Sequence, residues 1–183
     1  MRFKGECYRG HDPAWAWTPL SGTGAAVSGG RFNWTGMEAL YLSLALSTAI
    51  LEVTHGFAHR LNPLTFCSYD IDCEDIADAR SDDGRAALGV TLTELACNWA
   101  DDLRHGKTPA SHQVVRRLQA DGYAGVLVPS FANGATADDH NLVLWRYGPD
   151  LPHKVQVYDP SGRLPKNQLS WPLGSLTPPP EAR

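Results

Sequence analysis

Five polar residues attract attention by where they fall along the chain. Arg9 immediately precedes Gly10, and Arg31 directly follows Gly29-Gly30. A guanidinium fork meets phosphate oxygens two at a time, so this pair suits a phosphate or pyrophosphate; structural ion pairing is the competing reading. Glu52 lies beside an apolar helical stripe and needs a partner if it is buried. A carboxylate there is suited to holding a substrate hydroxyl or to stabilising a developing positive charge. Tyr41 sits inside the apolar run 39–42. It either packs in the core or offers its face to a flat, electron-poor ring. Ser130 follows Pro129 at the end of a strand, where it either brings a hydroxyl or amide into a cleft or is an ordinary turn serine.

Other chemistries lack their residues. His55, His59, His105 and His112 do not fall at metal-ligand spacing with any cysteine or carboxylate, so no metal is expected. Of these, only His55 is placed near the cleft. Cys7, Cys67, Cys73 and Cys97 contain no CxxC pair, which argues against a disulfide framework and a zinc knuckle. No GxSxG elbow is present, so a covalent serine nucleophile is unsupported. Gly22-Thr23-Gly24 has Val27 in the sixth position and follows no convincing strand, which excludes it as a dinucleotide fingerprint.

The elements that must position these residues are concentrated in residues 29–52. Two glycines free the backbone, the run 39–42 reads as a buried strand, and Ser47 is the expected N-cap of the next helix. Leu46, Ala49, Ile50, Val53 and Phe57 recur at helical spacing and predict the face turned to the core. Thr48, Glu52, His55 and His59 form a polar stripe beside it. Around this unit, strands are expected at 7–10, 64–71, 123–128, 141–147 and 155–158. Residues 11–30 read as one long irregular loop, and 72–83 as an acidic turn or short helix. Thr91 and Glu94 form a capping box for a helix whose apolar stripe runs to Leu103, and Thr108-Pro109 opens another. Strands and helices mix without strict alternation. The expected fold is therefore a single α+β domain with a largely antiparallel sheet over 1–159, followed by a proline-rich tail over 160–183.

Composition excludes some partners. The 183 residues carry a net charge of −4, with a pI near 5.9, unlike a nonspecific nucleic-acid binder. No apolar run nears the roughly 20 residues of a membrane span, and the N-terminus lacks a signal-peptide core. The expectation is a cytoplasmic protein with reduced thiols.

Tyr8-Arg9-Gly10, Gly29-Gly30-Arg31-Phe32-Asn33-x-x-Gly36, Leu40-Tyr41-Leu42-Ser43 and Ala49-Ile50-Leu51-Glu52-Val53 together resemble the RES-domain family, toxins of RES–Xre pairs named for arginine, glutamate and serine residues. Val128-Pro129-Ser130 and His140-Asn141-Leu142-Val143-Leu144 are similar to its later motifs. The resemblance spans residues 7–147; Phe32 stands where the family often has tryptophan. It implies an ADP-ribosyltransferase-like fold with a split sheet. It also implies consumption of NAD+ as a substrate, with no retained cofactor, and neutralisation by an Xre-type antitoxin that carries the DNA-binding function. In that reading Glu52, Arg31 and Tyr41 are catalytic, and Arg9, Tyr8, Ser130, His55 and Asn141 contact NAD+. The ADP-ribose acceptor is left open among water, phosphate and a host protein. A dedicated protein mono-ADP-ribosyltransferase and a non-catalytic nucleotide-binding module are the alternatives.

Overall fold

A computed structural model describes residues 1–54 and 62–169, so His55, Phe57 and His59 lie outside the described residues. The strands are β1 (Phe3–His11), β2 (Leu40–Ser43), β3 (Thr65–Cys73), β4 (Ile76–Asp78), β5 (Gly125–Pro129), β6 (His140–Leu144) and β7 (His153–Val157). They form one sheet in the order β4-β5-β6-β2-β1-β3-β7. Only β4 and β5 run parallel; every other pairing is antiparallel, as expected.

Alternation along the strands gives the sheet two apolar faces. Leu127, Leu142, Leu144, Leu40, Leu42, Tyr69 and Ile71 fill one. Val126, Val128, Val143 and Ala77 fill the other, where α4 (Leu92–Leu95) and α6 (Ala110–Ala120) cover them through Leu95, Val114, Val115 and Leu118.

The sheet is uneven in one place. β1 pairs with β3 from Phe3–Cys73 to His11–Thr65, yet meets β2 at the single register pair Tyr8–Ser43. Helix α2 (Leu46–Thr54) packs over both strands at that parting. This is the split of the expected split sheet.

Several boundaries differ from the sequence reading. Helix α2 begins at Leu46, so Ser47 lies inside its first turn and does not cap it. Its apolar stripe is only partly buried: Leu46 and Ile50 are 45% and 39% exposed, whereas Ala49 of the same stripe is buried, as is Thr48 of the polar one, and Ala49 and Val53 line the space above β1 and β2. The face toward the sheet lies between the two stripes, and Thr48 and Glu52 tolerate it because they find partners across the sheet. The loop over 11–30 contains a 3-10 turn (Pro13–Trp15) and α1 (Thr23–Ser28). The acidic segment holds β4 and the start of α3 (Asp82–Ala87), whose cap is Ser81. The predicted helix from Leu92 is two: α4, with the expected Thr91/Glu94 capping box, and α5 (Trp99–Arg104). The tail is anchored as far as it is described. Asp159 accepts from the amides of Arg163 and Leu164, Leu164 packs on the first core, and Gln168 Nε2 donates to the Ala14 carbonyl.

Gly125 marks how closely β5 and β6 approach. A Cβ there would lie 2.5 Å from the Val143 carbonyl oxygen and 2.7 Å from Leu144 Cδ2. Gly125→Ala is therefore expected to lower stability by on the order of 1–3 kcal/mol, read from the urea unfolding midpoint.

Candidate active site

The parting of β1 and β2 opens a cleft of about 150 Å³, and Tyr8, Arg9, Tyr41, Ser43, Glu52 and Asn141 are among the residues that line it. Beyond Arg9 lies a second cavity of about 360 Å³, walled by the 11–28 segment, with His11, Trp15, Ser21 and Val27 on its surface. Arg9 lines both, so its guanidinium stands where the two meet.

Glu52 is held in the cleft by two donors. Ser130 Oγ donates to its Oε1 at 2.7 Å, and Asn141 Nδ2 donates to the same oxygen. Ser130 is carried by the end of β5 and the loop after it, and Asn141 by β6. That loop is also tied to α2 directly, since Thr48 Oγ1 donates to Asp139 Oδ1 at 2.5 Å. The Thr48 hydroxyl, with the amide and hydroxyl of Thr136, holds the Asp139 carboxyl below its ordinary value. Thus the buried polar stripe of α2 is satisfied by groups on a distant hairpin.

Arg31 has a different position from the one its neighbouring glycines suggest. Its Nη1 donates to the carbonyls of Leu95 at 3.2 Å and Cys97 at 2.5 Å, and its guanidinium stacks over Phe131 at 4.7 Å from the ring centre. The break between α4 and α5 leaves the Leu95 carbonyl to Arg31, which also bonds the Cys97 carbonyl beside the Trp99 amide. The side chain does not line the cleft. Burial lowers its pKa, and the nearby Glu52 carboxylate opposes that shift.

The segment carrying Arg31 is fixed along its whole length. His112 Nε2 donates to the Gly30 carbonyl at 2.8 Å, Ser111 Oγ to the Arg31 carbonyl at 2.6 Å, and Trp145 Nε1 to the Phe32 carbonyl at 2.9 Å. Tyr41 donates its hydroxyl to Asn33 Oδ1 at 2.7 Å and accepts the Phe32 amide at 3.0 Å. A Cβ on Gly30 would sit 2.8 Å from both the Tyr41 oxygen and Asn33 Oδ1, so only glycine fits. Burial raises the Tyr41 phenol well above its ordinary value, which keeps the hydroxyl protonated and donating.

Arg9 is partly committed as well. Its Nη1 donates to the Pro19 and Ser21 carbonyls, both at 3.0 Å, bracing the loop of the second cavity. Burial first, and the Arg9 charge second, push His11 down to about 4, so it is neutral at physiological pH. Burial likewise pushes the thiols of Cys7 and Cys73 up to about 12, which makes both inert.

Of the residues singled out from the sequence, Tyr8, Arg9, Tyr41, Glu52 and Asn141 therefore share the cleft wall. Ser130 bonds Glu52, Arg31 is anchored away from the cleft, and His55 lies outside the described residues. Ser43, Thr48, Asp139, Ser111 and His112 received no site role from the sequence. Ser43, in the motif over 40–43, and Thr48, on the polar stripe one turn before Glu52, carried usable signals. Among the described residues, no group of three or more His, Cys, Asp or Glu side chains is placed to hold a metal ion. No described helix is long and apolar enough to cross a membrane.

A family model described as the RES domain matches residues 6–167. No curated protein matches the sequence significantly. Among solved structures, the fold is similar to a chain of the M. tuberculosis MbcT–MbcA toxin–antitoxin complex, at 22% identity and a TM-score of 0.53. The match covers 87% of this chain and 84% of that one. That likeness is one of fold, a single α+β domain built on a mixed sheet.

Two outcomes follow from this geometry. Arg31→Ala leaves the Leu95 carbonyl without its donor and takes one of the two donors of the Cys97 carbonyl, and is expected to cost on the order of 1–3 kcal/mol in urea unfolding; Arg31→Lys, which lacks the planar fork, should not restore it. His11 takes up a proton near pH 6.5 when unfolded but only near 4 when folded, so its contribution to stability is complete above pH 6.5 and is lost as pH falls toward 4. Unfolding midpoints measured at pH 7 and pH 4.5 should therefore converge in His11→Gln relative to the parent.

Proposed function

The chain belongs to the RES-domain family, and from that premise we propose that it is the toxin of a toxin–antitoxin pair, acting by consuming NAD+. The observation that carries this reading is a cleft-lining carboxylate with one oxygen held by two donors, next to a second cavity reached past a guanidinium. In this reading the nicotinamide riboside half enters the cleft between β1 and β2. The pyrophosphate meets Arg9, and the adenosine half occupies the cavity beside Trp15.

The reaction breaks the bond between the nicotinamide nitrogen and the ribose. The electron pair leaves with the ring, which loses its positive charge, and the ribose becomes oxocarbenium-like, as in glycoside cleavage. Glu52, fixed by Ser130 and Asn141, would hold a ribose hydroxyl and stabilise that cation as it forms. Tyr41 would present its ring to nicotinamide, with its hydroxyl tied back to Asn33 and Phe32. Arg9 would anchor the pyrophosphate and limit the poses of the scissile bond. Arg31, bonded to the Leu95 and Cys97 carbonyls, takes a supporting role here: it secures the segment from which Tyr41 and Phe131 are braced.

Water, phosphate or a protein side chain completes the transfer by capturing the ribose carbon. A protein acceptor would make the enzyme a mono-ADP-ribosyltransferase. An antitoxin would silence it by occluding the cleft. Trp15 and Trp17, 37% and 41% exposed on the segment that walls the outer cavity, are the surface this reading assigns to that partner.

The test is incubation of the purified protein with NAD+ labelled on the adenylate half, alone and with cell extract. Free nicotinamide with soluble labelled ADP-ribose or its phosphate is the outcome for a hydrolase or phosphorylase; label on one protein band is the outcome for a transferase. Glu52→Gln should keep NAD+ binding and lose turnover by on the order of 10²-fold or more. NAD+ left intact in both incubations would replace the enzyme with a binding module.

A further inference from the structure

We propose that Asn141, seconded by Ser43, is a positioning residue that acts through Glu52 rather than on the substrate. The inference rests on the NAD+-cleavage reading for its functional meaning, and on the geometry of the three side chains for its substance. Ser43 and Asn141 are direct register partners across β2 and β6. Ser43 Oγ donates to Asn141 Oδ1 at 2.8 Å, and Asn141 Nδ2 donates onward to Glu52 Oε1.

The chemistry of the three groups fixes the direction of this relay. A carboxylate only accepts, so the amide must turn its nitrogen toward Glu52. Its oxygen then points to Ser43, whose hydroxyl must donate. Flipping the amide would set an oxygen against the carboxylate and leave Ser43 with no acceptor at that site. Ser43 is 4% exposed, which keeps competing water away from this end of the relay.

Both Asn141 and Ser130 bond the same oxygen, Oε1. Among the described residues nothing bonds Oε2, and Glu52 lines the cleft. The division of labour is one oxygen for the protein and the other for a ribose hydroxyl. Strand-borne groups are the appropriate donors for this task. β6 is an interior strand paired on both sides, so the amide has little freedom to follow the substrate. Ser130, in contrast, stands at the start of a loop and serves as the second donor.

The experiment is a double-mutant cycle with an independent structural readout. Asn141→Ala should lower kcat for NAD+ cleavage by on the order of 10-fold or more with KM nearly unchanged, because a misplaced catalytic group costs rate rather than affinity. Asn141→Asp, which has the same shape but turns a second carboxylate toward Glu52, should lose more. Ser43→Ala should lose less, and Ser43→Thr, which keeps the hydroxyl, should recover it. In the Glu52→Gln background Asn141→Ala should cost nothing further. A rise confined to KM, or losses that add, would mean that Asn141 touches the substrate on its own account and would overturn the proposal. The Asn141 side-chain amide signal, assigned by NMR, should move on Glu52→Gln without substrate present, and an unmoved signal overturns the pair whatever the turnover. A parent protein that leaves NAD+ intact defeats the reading of the activity instead, and the amide signal then decides the pair by itself.

Discussion

The single register pair between Tyr8 and Ser43 is the constraint around which the site is arranged. Two adjacent strands that meet once and then part must leave backbone groups and a gap between them, and something has to occupy the space. Here a short helix, α2, lies over the gap and turns Thr48 and Glu52 inward while Leu46 and Ile50 remain partly exposed. Apolar side chains on that inner face would bury more hydrocarbon and close the cleft. The polar choice sacrifices packing for a wall that can bond, and it is tolerable only because Ser130, Asn141 and Asp139 supply partners.

The same economy of partners explains Arg31. A buried guanidinium must have its N–H groups satisfied, and a helix broken after Leu95 must have its last carbonyls satisfied. Each meets the need of the other. His112, Ser111, Trp145 and Tyr41 then account for the backbone of the segment that carries Arg31. Among the described residues no buried side-chain nitrogen or oxygen is left without a partner. The rigidity of the cleft wall on this side comes from that completeness.

The fold class and the five cleft residues were legible in the sequence because each left a side-chain signature. Alternation marked the strands, a capping box marked α4, and the ordered motifs from Tyr8 to Asn141 marked the wall. What could not be read was whatever depends on backbone acceptors or on long-range pairing. The Leu95 and Cys97 carbonyls carry no residue-type signal, so Arg31 beside two glycines looked free. Periodicity marked both stripes of α2 but not that Thr48 is buried and Leu46 exposed, because the face toward the sheet runs between them. The short β4 was hidden because only three residues, Ile76–Asp78, pair in parallel with β5.

The bonds that fix Glu52 also carry a consequence for how the protein comes into being. The carboxylate's two partners lie 78 and 89 residues further along the chain. β2 and α2 leave the ribosome well before the hairpin of β5 and β6 that completes them. Until β6 inserts beside β2, Glu52 is one more solvated glutamate and the cleft has a single wall. A growing or truncated chain therefore bears the signature residues without the geometry that makes them act together. Whatever the finished molecule does, it begins to do only after β6 has joined the sheet.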